Sequence, residues 1–91
     1  MTHTLELLNK ALEKQTISAW ARAFNVSPSA ITNARARGRL SPVFAGNLAI
    51  ELGESPEHWM AIAAMEAEPD SPLLTRLRNC KELRRKLCLP L

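Results

Sequence analysis

Apolar residues recur at intervals of three and four along most of the chain, the spacing of helices that bury one face. The pattern predicts a helix over each of six segments: 4–14, 17–24, 28–37, 42–52, 56–65 and 72–88. β-Branched residues are few and never alternate with polar ones, so no strand is expected. The predicted fold class is all-α, with a compact bundle of five helices followed by a C-terminal helix.

The helix boundaries are set by capping residues. Ser-Pro occurs four times, at 27, 41, 55 and 71, each time just before an apolar-periodic segment. A serine oxygen can accept a free backbone N–H at a helix start, and proline is tolerated at the first helical position. Thr4 is expected to cap the first helix. Asn25 and Gly38 are expected to end the second and third helices in the left-handed conformation.

The 91 residues can bury one modest core and not two. Residues 1–68 are predicted to form one domain, and residues 69–91 a C-terminal helix. The polar stretch 66–70 between them contains a proline and is interpreted as a hinge or short linker. The last helix either folds back onto the bundle as extra core or packs on its copy in a second subunit, and its outward bases could also touch flanking phosphates or the acidic block 51–70. In the second case the dimerisation residues are Leu73, Leu77, Cys80, Leu83 and Leu87.

Charge is distributed in three blocks, although the net charge is only +3. Residues 1–50 carry six Lys or Arg and two Glu, residues 51–70 carry six acids and no base, and residues 71–91 carry six bases and one Glu. A basic face attracts phosphate regardless of sequence. The acidic block is expected to point away from any nucleic acid.

Little in the sequence indicates catalysis or metal binding. His3 and His58 are isolated, and no glycine-rich phosphate loop or metal-ligand cluster is recognisable. Cys80 and Cys88 would lie about 12 Å apart in one helix, too far for a disulfide. We expect buried free thiols, no catalytic residues, no metal, no cofactor and no small-molecule substrate. No apolar run reaches the ~18 residues of a membrane helix, and no signal peptide is recognisable, so we expect a cytoplasmic protein without a membrane partner.

Residues 16–39 contain two short helices joined by a tight turn. The first has one apolar stripe, which includes Trp20, and Trp20 and Trp59 are both assigned to the core. Val26 is expected to fill the corner between the two helices. In the second helix only Ala30, Ile31 and Ala34 are expected to be buried. The remaining polar and basic side chains face outward, which is typical of a helix-turn-helix directed at the major groove of DNA.

Residues 4–60 resemble the helix-turn-helix domains of the phage repressor and Cro type. The resemblance lies in Ala21 at the close approach of the two helices, Asn25 where the family usually has Gly, and Ser27 and Ile31 in the second helix. Downstream, 38–55 is similar to the family's fourth helix and its exit. The segment from 71 onward lies outside the resemblance.

The resemblance implies which side chains contact DNA. The base-contacting candidates are Ser29, Thr32, Asn33 and Arg35. The backbone-contacting candidates are Thr16, Ser27, Arg37 and Arg39. Asn33 is the strongest candidate, because a carboxamide can pair with adenine through two hydrogen bonds. Arg35 and Arg37 lie about 200° apart on a helix and therefore cannot share one target.

The sequence thus predicts a sequence-specific transcriptional regulator, a phage or prophage repressor that binds a two-fold operator in double-stranded DNA as a homodimer. The alternative is a protein-binding module, inhibitor- or antitoxin-like, that acts through its basic C-terminal helix. An enzyme is the least supported class.

Overall fold

Seven α-helices make up the part of the chain that the computed structural model describes, residues 3–87. The helices are α1 (Thr4–Lys14), α2 (Ile17–Phe24), α3 (Pro28–Arg37), α4 (Pro42–Glu51), α5 (Pro56–Ala67), α6 (Pro72–Arg78) and α7 (Lys81–Leu87). These residues contain no strand, so the prediction of an all-α fold is confirmed.

The four Ser-Pro pairs begin four helices, as predicted. Each serine oxygen accepts a hydrogen bond from the backbone N–H three residues later, at 3.1 to 3.3 Å. The pairs are Ser27 with Ala30, Ser41 with Phe44, Ser55 with His58, and Ser71 with Leu74. Asn25 (φ 56°) and Gly38 (φ 81°) end α2 and α3 in the left-handed conformation, which confirms both predictions.

Thr4 is not a cap, and this prediction was wrong. The side chain is fully buried, and its hydroxyl accepts the backbone N–H of Leu40 at 2.9 Å. The same hydroxyl donates to the carboxylate of Glu66 at 2.5 Å, and the backbone N–H of Thr4 donates to that carboxylate at 3.1 Å. His3 occupies the cap position without a side-chain bond. Thr4 therefore joins the start of α1 to the loop after α3 and to the last turn of α5.

The core lies between α1, α4 and α5, and α2 and α3 pack against it. Trp20 and Trp59 are 5% and 6% exposed, which confirms both as core residues. The indole N–H of Trp20 donates to the carbonyl of Ala11 at 2.8 Å. The ring of Phe24 lies 5.5 Å from that of Trp20 and 5.6 Å from that of Phe44. Hydrogen bonding and ring contacts thus fix α2 to α1 on one side and to α4 on the other.

The last helix differs from its prediction in two ways. The helix α5 continues through Glu66 to Ala67, so the linker is shorter than expected. The segment expected as one helix is broken at Asn79 and Cys80 into α6 and α7. The reason is tertiary packing, because α7 contacts both α5 and α6.

The break places Leu83 against a small second core formed by Met65 and Leu74. In one straight helix Leu74 and Leu83 would lie about 13 Å apart along the axis and could not both reach Met65. The continuous apolar stripe predicted for dimerisation therefore does not exist. Leu73, Leu77 and Cys80 are exposed and Leu83 is partly buried, while the side chain of Leu87 lies outside the described part of the structure. Cys80 was expected to be buried, and Cys88 lies beyond the described residues.

Candidate nucleic-acid interface

A three-residue turn, residues 25–27, connects α2 to α3. The backbone N–H of Val26 donates to the carbonyl of Ala21 at 2.9 Å, which closes the end of α2 around the left-handed Asn25. Ser27 then caps α3. Val26 does not fill the corner as predicted, because its side chain is 39% exposed. The turn is therefore closed by backbone bonds and a cap rather than by an apolar plug.

The helix α3 is anchored by a narrow buried face. Ile31 is 1% and Ala34 is 6% exposed, and both belong to the same core as Trp20 and Ala21. Ala30 was expected to join them but is exposed. Two buried residues on a ten-residue helix leave most of its circumference open to solvent.

The outward face of α3 consists of Ser29, Thr32, Asn33 and Ala36, all of them exposed. Their spacing of i, i+3, i+4 and i+7 places them within about 100° of one another around the helix. Ala36 was missed from the sequence, because alanine carries no polar group that marks it as a contact. Its register with the other three residues was the available signal. The face is opposite Ile31 and Ala34.

The hydroxyl groups of this face already have partners within the chain. Ser29 shares a hydrogen bond with Ser27 at 3.2 Å, and Thr32 donates to the carbonyl of Pro28 at 3.2 Å. Within residues 3–87, the side chain of Asn33 makes no hydrogen bond. Of the polar groups on the outward face, its carboxamide is therefore the one whose donors and acceptor are all unused.

Three exposed arginines surround the outward face. At about 100° per residue, Arg35 and Arg37 flank it on opposite sides, and Arg39 follows in the loop. In the part of the chain that the structure describes, none of the three has an ion-pair partner. Residues 14–50 contain five Lys or Arg and no Asp or Glu. No nearby acidic residue in this segment offsets the positive charge.

The loop that carries Arg39 is fixed by hydrogen bonds to α3 and to Thr4 at the start of α1. The backbone N–H of Arg39 donates to the carbonyl of Ala34 at 3.3 Å, and the next residue, Leu40, is 2% exposed. The N–H of Leu40 donates to Thr4, which in turn is bonded to Glu66. The exposed side chain of Arg39 therefore projects from a backbone that α1 and α5 hold in place.

Two of the predicted backbone contacts, Thr16 and Ser27, are N-caps. The Thr16 oxygen accepts the N–H of Ala19 at 3.2 Å, and Ser27 accepts that of Ala30 at 3.3 Å. Both side chains are exposed. Each is therefore positioned at the start of a helix, where the positive end of the helix dipole favours an anion.

Residues 3–87 hold no group of three or more His, Cys, Asp and Glu side chains placed to bind a metal ion. The longest helix of that range has 12 residues, and none in it is both long and apolar enough to cross a membrane. Comparison of the chain with known protein families, curated protein sequences and solved structures finds no match.

Proposed function

We propose that this protein is a sequence-specific DNA-binding regulator in which α2 and α3 form a helix-turn-helix. The observation that carries the proposal is the outward face of α3. It presents small side chains and the carboxamide of Asn33, and it lies on a helix anchored at Ile31 and Ala34. Among residues 3–87 that carboxamide has no hydrogen-bond partner, and the two arginines that flank the face have no ion-pair partner.

Such a face suits the major groove of B-DNA, which is about 12 Å wide and admits an α-helix. Small side chains on the outward face let the helix approach the base edges closely. Asn33 would pair with adenine through two hydrogen bonds, and the methyl groups of Thr32 and Ala36 would contact thymine methyl groups. Arg35 and Arg37, on opposite sides of the face, would reach a guanine or the two phosphate strands.

Thr16, Ser27 and Arg39 would fix the register of the domain on the DNA backbone. Contacts of this kind orient a protein on the duplex without reading sequence. One short recognition helix gives limited specificity, so we propose that the protein binds a two-fold operator as a homodimer and represses transcription by occupying it. This function requires neither catalysis nor a cofactor.

The experiment compares the binding of a selected duplex and of single-base variants of it by wild type, Asn33→Ala and Arg39→Ala. We expect Asn33→Ala to remove about 1–3 kcal/mol of discrimination at one base pair of each half-site. We expect Arg39→Ala to weaken binding to all sequences alike, and to reduce the salt dependence of the binding constant by the equivalent of about one phosphate contact.

The matched control is Asn9→Ala, which removes an exposed carboxamide from α1, a helix outside the proposed helix-turn-helix. This variant should bind every duplex as the wild type does. Equal, weak binding of all duplexes that Asn33→Ala leaves unchanged would exclude sequence-specific regulation.

A protein-binding module is the second candidate, because Leu73 and Leu77 are 75% and 51% exposed beside Arg76. An acidic partner protein could cover this surface. This candidate would be favoured if the wild-type protein showed no preference among DNA sequences while substitutions at the Leu73–Leu77 surface still abolished its function.

A further inference from the structure

Glu66 carries a carboxylate that is almost fully buried. The residue lies one position before the end of α5, and its side chain is 6% exposed. A negative charge near the C-terminal end of a helix is unfavourable for the helix dipole, so α5 itself does not stabilise this carboxylate. Its closest partners lie at the start of α1, where the helix dipole favours an anion.

One oxygen of this carboxylate, Oε1, accepts both polar hydrogens of Thr4. The backbone N–H of Thr4 donates to it at 3.1 Å, and the hydroxyl donates at 2.5 Å. That N–H is one of the first-turn groups of α1 that have no partner within the helix. Two bonds to one oxygen hold the stiff threonine side chain in one rotamer, and they fix the direction of the remaining lone pairs of its hydroxyl.

The hydroxyl of Thr4 in turn accepts the backbone N–H of Leu40 at 2.9 Å. This N–H belongs to the peptide unit that follows Arg39, and because a peptide unit is planar, its direction fixes ψ of Arg39. The preceding peptide unit is also bonded, since the N–H of Arg39 donates to the carbonyl of Ala34 at 3.3 Å. Both units that flank Arg39 are therefore held, and the shorter of the two bonds is the one that depends on Thr4.

We propose that Glu66 is a positioning residue for the contact of Arg39 with the DNA backbone. The carboxylate orients the hydroxyl of Thr4, the hydroxyl orients the peptide unit after Arg39, and that unit directs the arginine toward a phosphate. The inference rests on the proposed function, in which Arg39 contacts DNA. It adds a residue of α5, outside the proposed helix-turn-helix, to those that determine DNA affinity.

The effect of Glu66 is confined to affinity. Within residues 3–87, the hydrogen bonds of Glu66 and Thr4 reach His3, each other and Leu40, and none reaches the outward face of α3. That face is anchored separately, because Ile31 is buried in the core and Ser27 caps the helix. Glu66 therefore acts through Arg39 and leaves the base preference of α3 unchanged. A role limited to the stability of the fold would not separate these two effects.

The first measurement is amide hydrogen exchange of the free protein, wild type and Glu66→Met. Methionine has a similar length but lacks the oxygen that accepts the two hydrogens of Thr4. We expect exchange at the Leu40 amide to become about tenfold faster relative to the amides within α3, because its hydrogen bond is loosened. Glu68→Met, the same change at the exposed residue that ends α5, is the control and should leave the exchange of Leu40 unchanged.

The second measurement is binding of the selected duplex over a range of salt concentrations by Glu66→Met, Arg39→Ala and the double variant. The loss of one phosphate contact corresponds to about fivefold in affinity at about 0.15 M salt. We expect Glu66→Met to weaken binding by about twofold to fivefold and to reduce the salt dependence as Arg39→Ala does. In the Arg39→Ala background, Glu66→Met should have no further effect. Discrimination at the base pair read by Asn33 should stay as in the wild type.

Glu66→Gln tests whether the acceptor oxygen, rather than packing, carries the effect. A carboxamide keeps one oxygen that can accept both hydrogens of Thr4, so this variant should bind DNA within about twofold of the wild type. Circular dichroism checks that the helices of every variant are intact. If Glu66→Met does not fold, Glu66→Asp takes its place in both measurements with the same expected results, because its carboxylate is set back from Thr4 by one methylene group.

Unchanged exchange at Leu40, a loss of affinity that persists in the Arg39→Ala background, or a Glu66→Gln variant no better than Glu66→Met would each overturn the proposal. A wild type that reads DNA sequence and loses affinity with Arg39→Ala but not with Glu66→Met would overturn it and leave the proposed function intact. A wild type without any sequence preference would overturn the proposed function, and this inference with it.

Discussion

Replacing Thr4 with valine removes one hydroxyl from the buried joint between α1, the loop after α3, and α5. Valine has nearly the same shape, so the substitution opens no cavity. It leaves the buried N–H of Leu40 without its 2.9 Å acceptor and takes one donor from the carboxylate of Glu66. A buried donor left unsatisfied costs about 1–3 kcal/mol, and a hydrogen bond to a charged group contributes about 1.5–3 kcal/mol.

We therefore expect Thr4→Val to lower the free energy of unfolding by about 3 kcal/mol, a large part of the roughly 5–14 kcal/mol typical of a chain of this length. The assay is urea denaturation followed by helical circular dichroism, with the m-value checked for constancy. Thr75→Val is the matched control, because its hydroxyl is exposed and donates to the carbonyl of Ser71. It should change stability by less than about 0.5 kcal/mol. Equal midpoints for the two variants would refute the role given to the Thr4 hydroxyl.

Two further predictions concern a surface ion pair and a helix end. The hydrogen bond from Lys10, 2.6 Å long, lowers the pKa of Glu54 below its ordinary 4.5. A carboxyl group whose pKa is lower in the folded than in the unfolded chain stabilises the fold at pH values above its unfolded-state pKa. That stabilisation is lost as the pH falls through its folded-state pKa. Glu54→Gln should therefore destabilise at neutral pH and match wild type in acid; a difference independent of pH in urea titrations would contradict this. Gly38→Ala should lower the free energy of unfolding by about 1 kcal/mol, because its φ of +81° is unfavourable for alanine. The added methyl group would meet no atom within 4 Å, so no steric clash adds to this strain. An unchanged midpoint would contradict the strain.

Local chemistry made most helix boundaries predictable. A serine before proline, an asparagine after an apolar stripe and a glycine after a basic helix end each act on backbone groups within three or four residues. Their effect does not depend on the rest of the fold. The core positions of Trp20 and Trp59 followed from helical spacing for the same reason.

The failures depend on distant contacts. Thr4 has the sequence context of a cap, but its partners lie 36 and 62 residues away. The break before α7 contains neither proline nor glycine and is explained by the packing of Leu83 on Met65. No local signal in the sequence gives either contact.

The candidate site was predictable in part. The spacing of Ser29, Thr32 and Asn33 placed them on one exposed face, where the structure also puts them. The sequence did not reveal that Ser29 and Thr32 already bond within the chain, which concentrates the proposed recognition on Asn33. Ala36 was missed because only its register marks it.

Selection of binding sites from a random library of DNA duplexes tests the proposed function most directly. We predict recovery of a two-fold symmetric sequence whose half-sites are centred about 10 base pairs apart, or a multiple of that distance. Selection with Asn33→Ala should yield the same sequence with one position in each half-site relaxed. Recovery of unrelated sequences, with no position enriched over the starting library, would contradict the proposal that α3 reads DNA.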